Sequence, residues 1–161
     1  MRIAIGSDEV TQLTEFVTRE LKSRGLEVEL HGALAPGDDT RWPQVARRVA
    51  ERVSQGSCHQ GILLCWTGTG VSIAANKVPG VRAALCTDAA TAAGARRWNN
   101  ANVLAMGLRL TSTEIAREML DAWFSTNPET GESADTAAMV TDIEIHYMKA
   151  QESSPHPVGR R

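Results

Sequence analysis

The chain has 161 residues, of which 42% are hydrophobic and 22% charged, and its formal net charge is -2. A chain of this size suits a single core, and a near-neutral balance argues against a broad basic surface for nucleic acid. No apolar run reaches the length of a membrane span, and the first residues, Met1-Arg2-Ile3-Ala4-Ile5-Gly6, lack the apolar centre of a signal peptide. The cysteines Cys58, Cys65 and Cys86 cannot all pair within one chain, so reduced thiols in a cytoplasmic protein are the expectation.

Strand and helix patterns alternate along the chain. Arg2–Gly6 is a short apolar run, and Val10–Arg24 places Leu13, Phe16, Val17 and Leu21 on one helical face with Gly25 as its stop. Glu27–His31 alternates like a partly exposed strand, and Ala33–Thr40 is a loop holding Pro36, Gly37, Asp38 and Asp39. Trp42-Pro43 opens a helix to Ser54, with proline in its first turn. The strand Gly61–Cys65, the helix Val71–Lys77, the turn Pro79-Gly80 and the strand Val81–Cys86 follow. The pattern continues through helix Asp88–Arg97, strand Asn102–Met106 and helix Ser112–Phe124. A polar loop, Asn127–Ser133, leads to a last helix, Ala134–Lys149. Five strands separated by helices predict a three-layer αβα, Rossmann-like sandwich with a parallel, doubly wound sheet and an extra C-terminal helix. Residues 1–151 read as one domain, and 152–161, with two prolines and three charged residues, read as a disordered tail.

Gly61-Ile-Leu-Leu-Cys65-Trp66-Thr67-Gly68-Thr69-Gly70-Val71-Ser72-Ile-Ala-Ala-Asn76-Lys77 is the most informative segment. An apolar strand ends in a thiol, a turn with two glycines can aim backbone amides at a ligand, and a small-residue helix follows. Ligands of open α/β sheets sit outside the carboxyl ends of the strands, where a helix dipole favours thiolate over thiol. Asp8, Thr67, Ser72, Thr87, Asp88 and Arg109 fall on the same rim. Taken singly, Asp8 and Asp88 read equally well as helix N-caps, and Arg109 as a surface charge.

Nucleotide and metal readings are weaker. Gly68-Thr69-Gly70 lacks the third glycine of the dinucleotide fingerprint and follows the third strand, and no phosphate-loop Gly-Lys-Ser/Thr is present. Cys58-His59 with Cys65 matches no tetrahedral spacing, so a metal site is not favoured.

Over roughly residues 1–125 the chain resembles the ribose-5-phosphate isomerase B and galactose-6-phosphate isomerase family. The resemblance rests on Gly6-Ser7-Asp8, on the run from Cys65 to Lys77 continuing through Val78-Pro79-Gly80-Val81-Arg82, and on Asn99-Asn100-Ala101-Asn102-Val103-Leu104 with Gly107-Leu108-Arg109. It implies cofactor-independent interconversion of an aldose and a ketose through a cis-enediolate. Cys65 would be the base, Thr67 would assist proton movement at the sugar oxygens, and the amides of Gly68, Thr69, Gly70, Val71 and Ser72 would hold the enediolate oxygen. Asp8 would bind sugar hydroxyls and Asn99 the substrate or intermediate. Another branch carries a glutamate base where this chain has Val71. The family implies a homodimer or tetramer with sites built from two chains, and the apolar positions Met139, Val140, Ile143, Tyr147 and Met148 suit an interface helix.

Three departures bear on substrate. Glu9 stands where ribose-phosphate isomerases have a phosphate-binding histidine, Trp98 where they have a ring-opening histidine, and Thr130–Met139 lacks their phosphate-gripping arginines. Arg109 remains as a phosphate contact, and Trp98 and Glu9 become substrate-facing candidates. The favoured reading is an isomerase of a sugar or sugar phosphate other than ribose 5-phosphate. A tetrose phosphate fits, because its blocked terminal oxygen cannot close a furanose, and so does a uronate or a free sugar, which needs no arginine clamp. The alternatives are the cysteine-bearing subunit of a hetero-oligomeric galactose-6-phosphate-type isomerase and a sugar-binding protein without turnover.

Overall fold

The structure, a computed structural model, describes residues 1–153. Its strands are β1 (Arg2–Ser7), β2 (Glu27–Gly32), β3 (Gln60–Cys65), β4 (Ala83–Leu85) and β5 (Val103–Gly107). They form one parallel sheet in the order β2-β1-β3-β5-β4. Parallel neighbours need long crossovers, and these are supplied by α1 (Gln12–Ser23), α2 (Trp42–Ser54), α3 (Thr69–Ala75) and α4 (Ala89–Asn99). Helices α5 (Thr113–Ser125) and α6 (Glu132–Ser153) follow the last strand. The tail expected from residue 152 lies outside the described residues except where α6 extends into it.

Side-chain alternation along the strands builds two apolar layers. Ile3, Ile5, Ile62, Leu64, Leu104 and Met106 face α1, α4 and α5, whereas Ala4, Leu63, Cys65, Val103 and Ala105 face α2 and α3. β5 is buried at every position and β3 from Gly61 onward, which explains their unbroken apolar composition: both faces are covered.

Element boundaries differ from the sequence expectation where side chains capture backbone groups. Thr11 and Thr14 form a capping box, so α1 starts at Gln12 rather than Val10. The Asn76 side chain donates to Ser72 O and Ala83 O and accepts from Ala83 N, ending α3 at Ala75. The amide of Arg82 donates to Asn102 Oδ1, and β4 begins only at Ala83. Asp88 is the N-cap of α4, in a second capping box with Thr91. The last helix begins at Glu132 and runs past Lys149. No helix among the described residues is long and apolar enough to cross a membrane.

The chain moves outward from β1 to β2, then crosses back to place β3 on the other side of β1. The loop after β1 leads to α1 on one face, and the loop after β3 leads to α3 on the opposite face. The crevice between β1 and β3 is thus the topological switch point of the sheet.

Helix α6 packs against α4 and is tied to the body where Gly80 N donates to Glu144 Oε2. Its Met139, Val140, Ile143, Ile145, Tyr147 and Met148 stay exposed. Trp123 of α5 is fully buried, donates from Nε1 to Gln60 Oε1 at 2.8 Å and lies under the Arg96 guanidinium. Replacing Trp123 with alanine empties a large core volume and orphans Gln60. Urea unfolding of Trp123→Ala should show a loss of about 3–5 kcal/mol; a loss below about 1 kcal/mol would contradict this packing.

Candidate active site

The register of β1 and β3 pairs Ser7 with Leu64, so Asp8 and Cys65 leave the sheet side by side at the switch point. Cys65 is nearly buried and joins the apolar layer formed with α2 and α3. Asp8 does not cap α1, because Thr11 does. Its Oδ1 is buried and has no hydrogen-bond partner among the described residues. Burial pushes the Asp8 carboxyl up from its ordinary value, and neighbouring Glu9 adds to the shift. A buried oxygen without a partner is costly, and a ligand hydroxyl donating to it would remove that cost. Glu9 itself is exposed, its amide donating to Ser7 Oγ at 3.3 Å.

The turn after Cys65 is built from backbone. Gly68 has φ 76°, its amide donates to Cys65 O at 3.2 Å, and Thr69 N donates to Thr67 Oγ1 at 3.4 Å. Ser72 N returns to Gly68 O. The amides of Gly70 and Val71 meet no acceptor among the described residues. Thr67 and Thr69 are exposed. The Val71 side chain is fully buried, so only its amide is available. The Ser72 hydroxyl points to β4, donating to Ala83 O at 3.4 Å.

The left-handed conformation at Gly68 is one that side-chain-bearing residues rarely adopt. A Cβ there would also stand 2.8 Å from Met106 C, 3.0 Å from Gly107 N and 2.5 Å from Leu85 Cδ1. Gly70 serves a different contact: a Cβ would lie 3.1–3.3 Å from three ring atoms of Trp42. The half-exposed indole of Trp42 therefore covers Gly70 and walls the turn from the α2 side. Sequence reading placed Trp42 only as the first residue of a helix. The signal was a glycine facing an aromatic in space, which no spacing along the chain reveals.

Arg109 follows β5 on the same rim, its amide bonded to Trp66 O at 3.0 Å. Its side chain is exposed and has no ion-pair partner among the described residues. Trp98 and Asn99 lie elsewhere. They end α4 only a few residues before β5 begins at Val103, at the amino edge of the sheet, and line a groove of about 760 Å³ beneath α6. One chain does not bring them to Cys65. Cys58 and Cys65 sit at opposite ends of β3, about 20 Å apart; Cys58 Sγ lies 3.7 Å from Glu29 Oε2, and the His59 ring accepts from Arg2 N. All three cysteines are free, and among the described residues no cluster of three or more His, Cys, Asp or Glu is arranged to hold a metal ion.

A family model described as Ribose/Galactose Isomerase matches residues 3–140. The chain belongs to this ribose/galactose isomerase family.

The family is one of sugar-phosphate isomerases, and this member is an aldose–ketose isomerase. It is 41% identical over 135 residues to a D-erythrulose-4-phosphate isomerase of Pectobacterium atrosepticum, covering 83% of this chain and 89% of the relative. It is 38% identical over 144 residues to ribose-5-phosphate isomerase B of Escherichia coli, covering 89% of this chain and 96% of that one. The fold matches a solved ribose-5-phosphate isomerase B of Clostridium thermocellum with a TM-score of 0.84 at 38% identity, covering 91% of this chain and 99% of that one.

The turn yields a direct test. Gly68→Ala adds both backbone strain and contacts with β5 backbone, and should cost about 1–3 kcal/mol together with most of the isomerase activity. Gly56→Ala, equally left-handed (φ 72°) but with nothing within 4 Å, should lose less and keep activity. Equal losses in the two variants, measured by urea unfolding, would contradict the close approach at Gly68.

Proposed function

We propose that this isomerase interconverts the aldose and ketose forms of a tetrose 4-phosphate through a cis-enediolate, with Cys65 as the base. The observation that carries the reading is the pairing, at the switch point, of the Cys65 thiol with an unpartnered Asp8 oxygen and the open amides of Gly70 and Val71. The thiolate removes the proton from C2 of the aldose, and the electron pair shifts toward the carbonyl. The resulting enediolate oxygen is held by the two amides, which are fixed before charge develops there. Thr67, exposed beside them, moves the hydroxyl proton between O1 and O2, and the thiol returns its proton to C1. Asp8 accepts from a sugar hydroxyl, and Arg109 holds the phosphate.

The substrate assignment rests on what the site lacks. Trp98 cannot exchange a proton, so it cannot open a furanose. A tetrose 4-phosphate has no free terminal hydroxyl with which to close one. Residues 130–139 contain no arginine, and Glu9 repels phosphate at close range, leaving Arg109 as the rim cation. The substrate named for the Pectobacterium relative is of this length.

The site completes itself across two copies in this reading. Each chain carries Asp8 and Cys65 at one end of the sheet and Trp98 and Asn99 at the other, so a two-fold pair supplies both halves to both sites without a different subunit. This arrangement also gives the apolar residues of α6 a place against a second chain.

Cys65→Ala should reduce kcat on the tetrose 4-phosphate by at least about a hundredfold while urea unfolding stays near that of the unaltered protein. Retained turnover would remove Cys65 from its role as base. Mixing the inactive Cys65→Ala and Asn99→Ala proteins under exchange conditions should restore roughly a quarter of the original activity, from mixed pairs carrying one intact site. No recovery, with subunit exchange verified, would contradict the shared site.

A further inference from the structure

Trp66, Leu85 and Leu110 are three large apolar side chains, 55%, 40% and 77% exposed, and none belongs to either buried layer. Leu85 ends β4, whereas Trp66 and Leu110 lie in the loops after β3 and β5, and the three meet in one cleft of about 110 Å³. Exposed apolar side chains grouped on a rim of polar loops mark a surface that receives something. Thr67, Thr87, Thr111 and Arg109 line the same cleft. The cleft adjoins the catalytic turn, since Thr67 belongs to both and Leu85 presses on Gly68. Trp66 is held by the ladder on either side of it, with Leu108 N donating to Cys65 O and Arg109 N to Trp66 O.

We infer that Trp66, with Leu85 and Leu110, determines substrate length by forming an apolar wall beside the phosphate contact. This rests on the proposed isomerisation at Cys65 and deepens it. With the reacting carbons at Cys65 and Thr67 and the phosphate at Arg109, the chain between them is confined to the strip beside Thr67. A four-carbon substrate keeps its hydroxyls near Asp8 and Thr67. A longer one must bow outward and press an additional hydroxyl against Trp66, Leu85 and Leu110, which offer it no acceptor. A hydroxyl stripped of water without a new partner weakens binding, so pentose phosphates are disfavoured by the wall itself and not only by missing ring-opening chemistry. Trp66 touches the substrate in this reading but takes no part in proton transfer.

The test compares kcat/KM for a tetrose 4-phosphate and an open-chain pentose 5-phosphate, the ketose ribulose 5-phosphate, in the full-length unaltered protein and in Trp66→Gly. The ketose is used because it needs no ring opening. Trp66→Gly should shift the ratio toward the pentose about tenfold, mainly through a lower KM for the pentose. Leu110→Ser, at a position too exposed to matter for folding, should shift it in the same direction by less. An unchanged ratio in both variants, with the unaltered protein active on the tetrose, overturns the wall and leaves the isomerase reading standing. No turnover of any tetrose 4-phosphate by the unaltered protein overturns that reading and the wall with it.

Discussion

The loops after β1 and β3 leave a parallel sheet toward opposite faces, and the crevice they open is the constraint on which the chemistry depends. Strands run in the same direction, so α1 to α5, each following a strand, begin at the carboxyl rim. The order β2-β1-β3-β5-β4 makes β1 and β3 the pair whose connections diverge. Pairing of Ser7 with Leu64 then fixes Asp8 and Cys65 as immediate neighbours. A one-residue slip in that register would turn Cys65 away from the α2 and α3 layer.

Around this crevice the protein uses backbone where charge is to be stabilised and side chains where protons move. Amides at Gly70 and Val71 are held by the Gly68 turn, whose own groups are spent on Cys65 and Ser72. Close packing against Met106 and Gly107 on one side and the Trp42 ring near Gly70 on the other leaves the turn little freedom. Preorganisation of this kind costs nothing at the moment of reaction. Asp8 shows the complementary feature, a carboxyl whose buried Oδ1 has no partner among the described residues and which a sugar hydroxyl can satisfy.

The architecture was largely legible in the sequence because its signals are local. Buried strands such as Gly61–Cys65 announce themselves as apolar runs, and helix starts at Trp42-Pro43, Asp88 and Ser112 carry recognisable chemistry. Some boundaries differed for local reasons, as where the Thr11–Thr14 capping box starts α1, and others for distant ones. The ends of α3 and β4 are set by the Asn76 and Asn102 side chains reaching to other segments, and nothing in local periodicity records such contacts. The site was legible as a list of rim residues but not as an arrangement. Asn99 and Trp98 were grouped with Cys65 by resemblance, whereas topology puts them at the opposite edge of the sheet within one chain. Trp42 escaped notice because its partner, Gly70, lies a helix and a strand further along the sequence.

Family membership establishes an isomerase; the central mechanistic claim is that Cys65 carries a proton between two carbons of a short sugar phosphate. Deuterium incorporation tests it most directly. The unaltered protein is incubated with a tetrulose 4-phosphate in heavy water, and the C1 and C2 protons are followed by NMR. The account predicts deuterium from solvent appearing at the carbon that receives the proton, at a rate lost in Cys65→Ala. Interconversion of ketose and aldose with no deuterium entering from solvent would contradict an enediolate formed by an exchanging thiol and point to direct hydride transfer between the carbons.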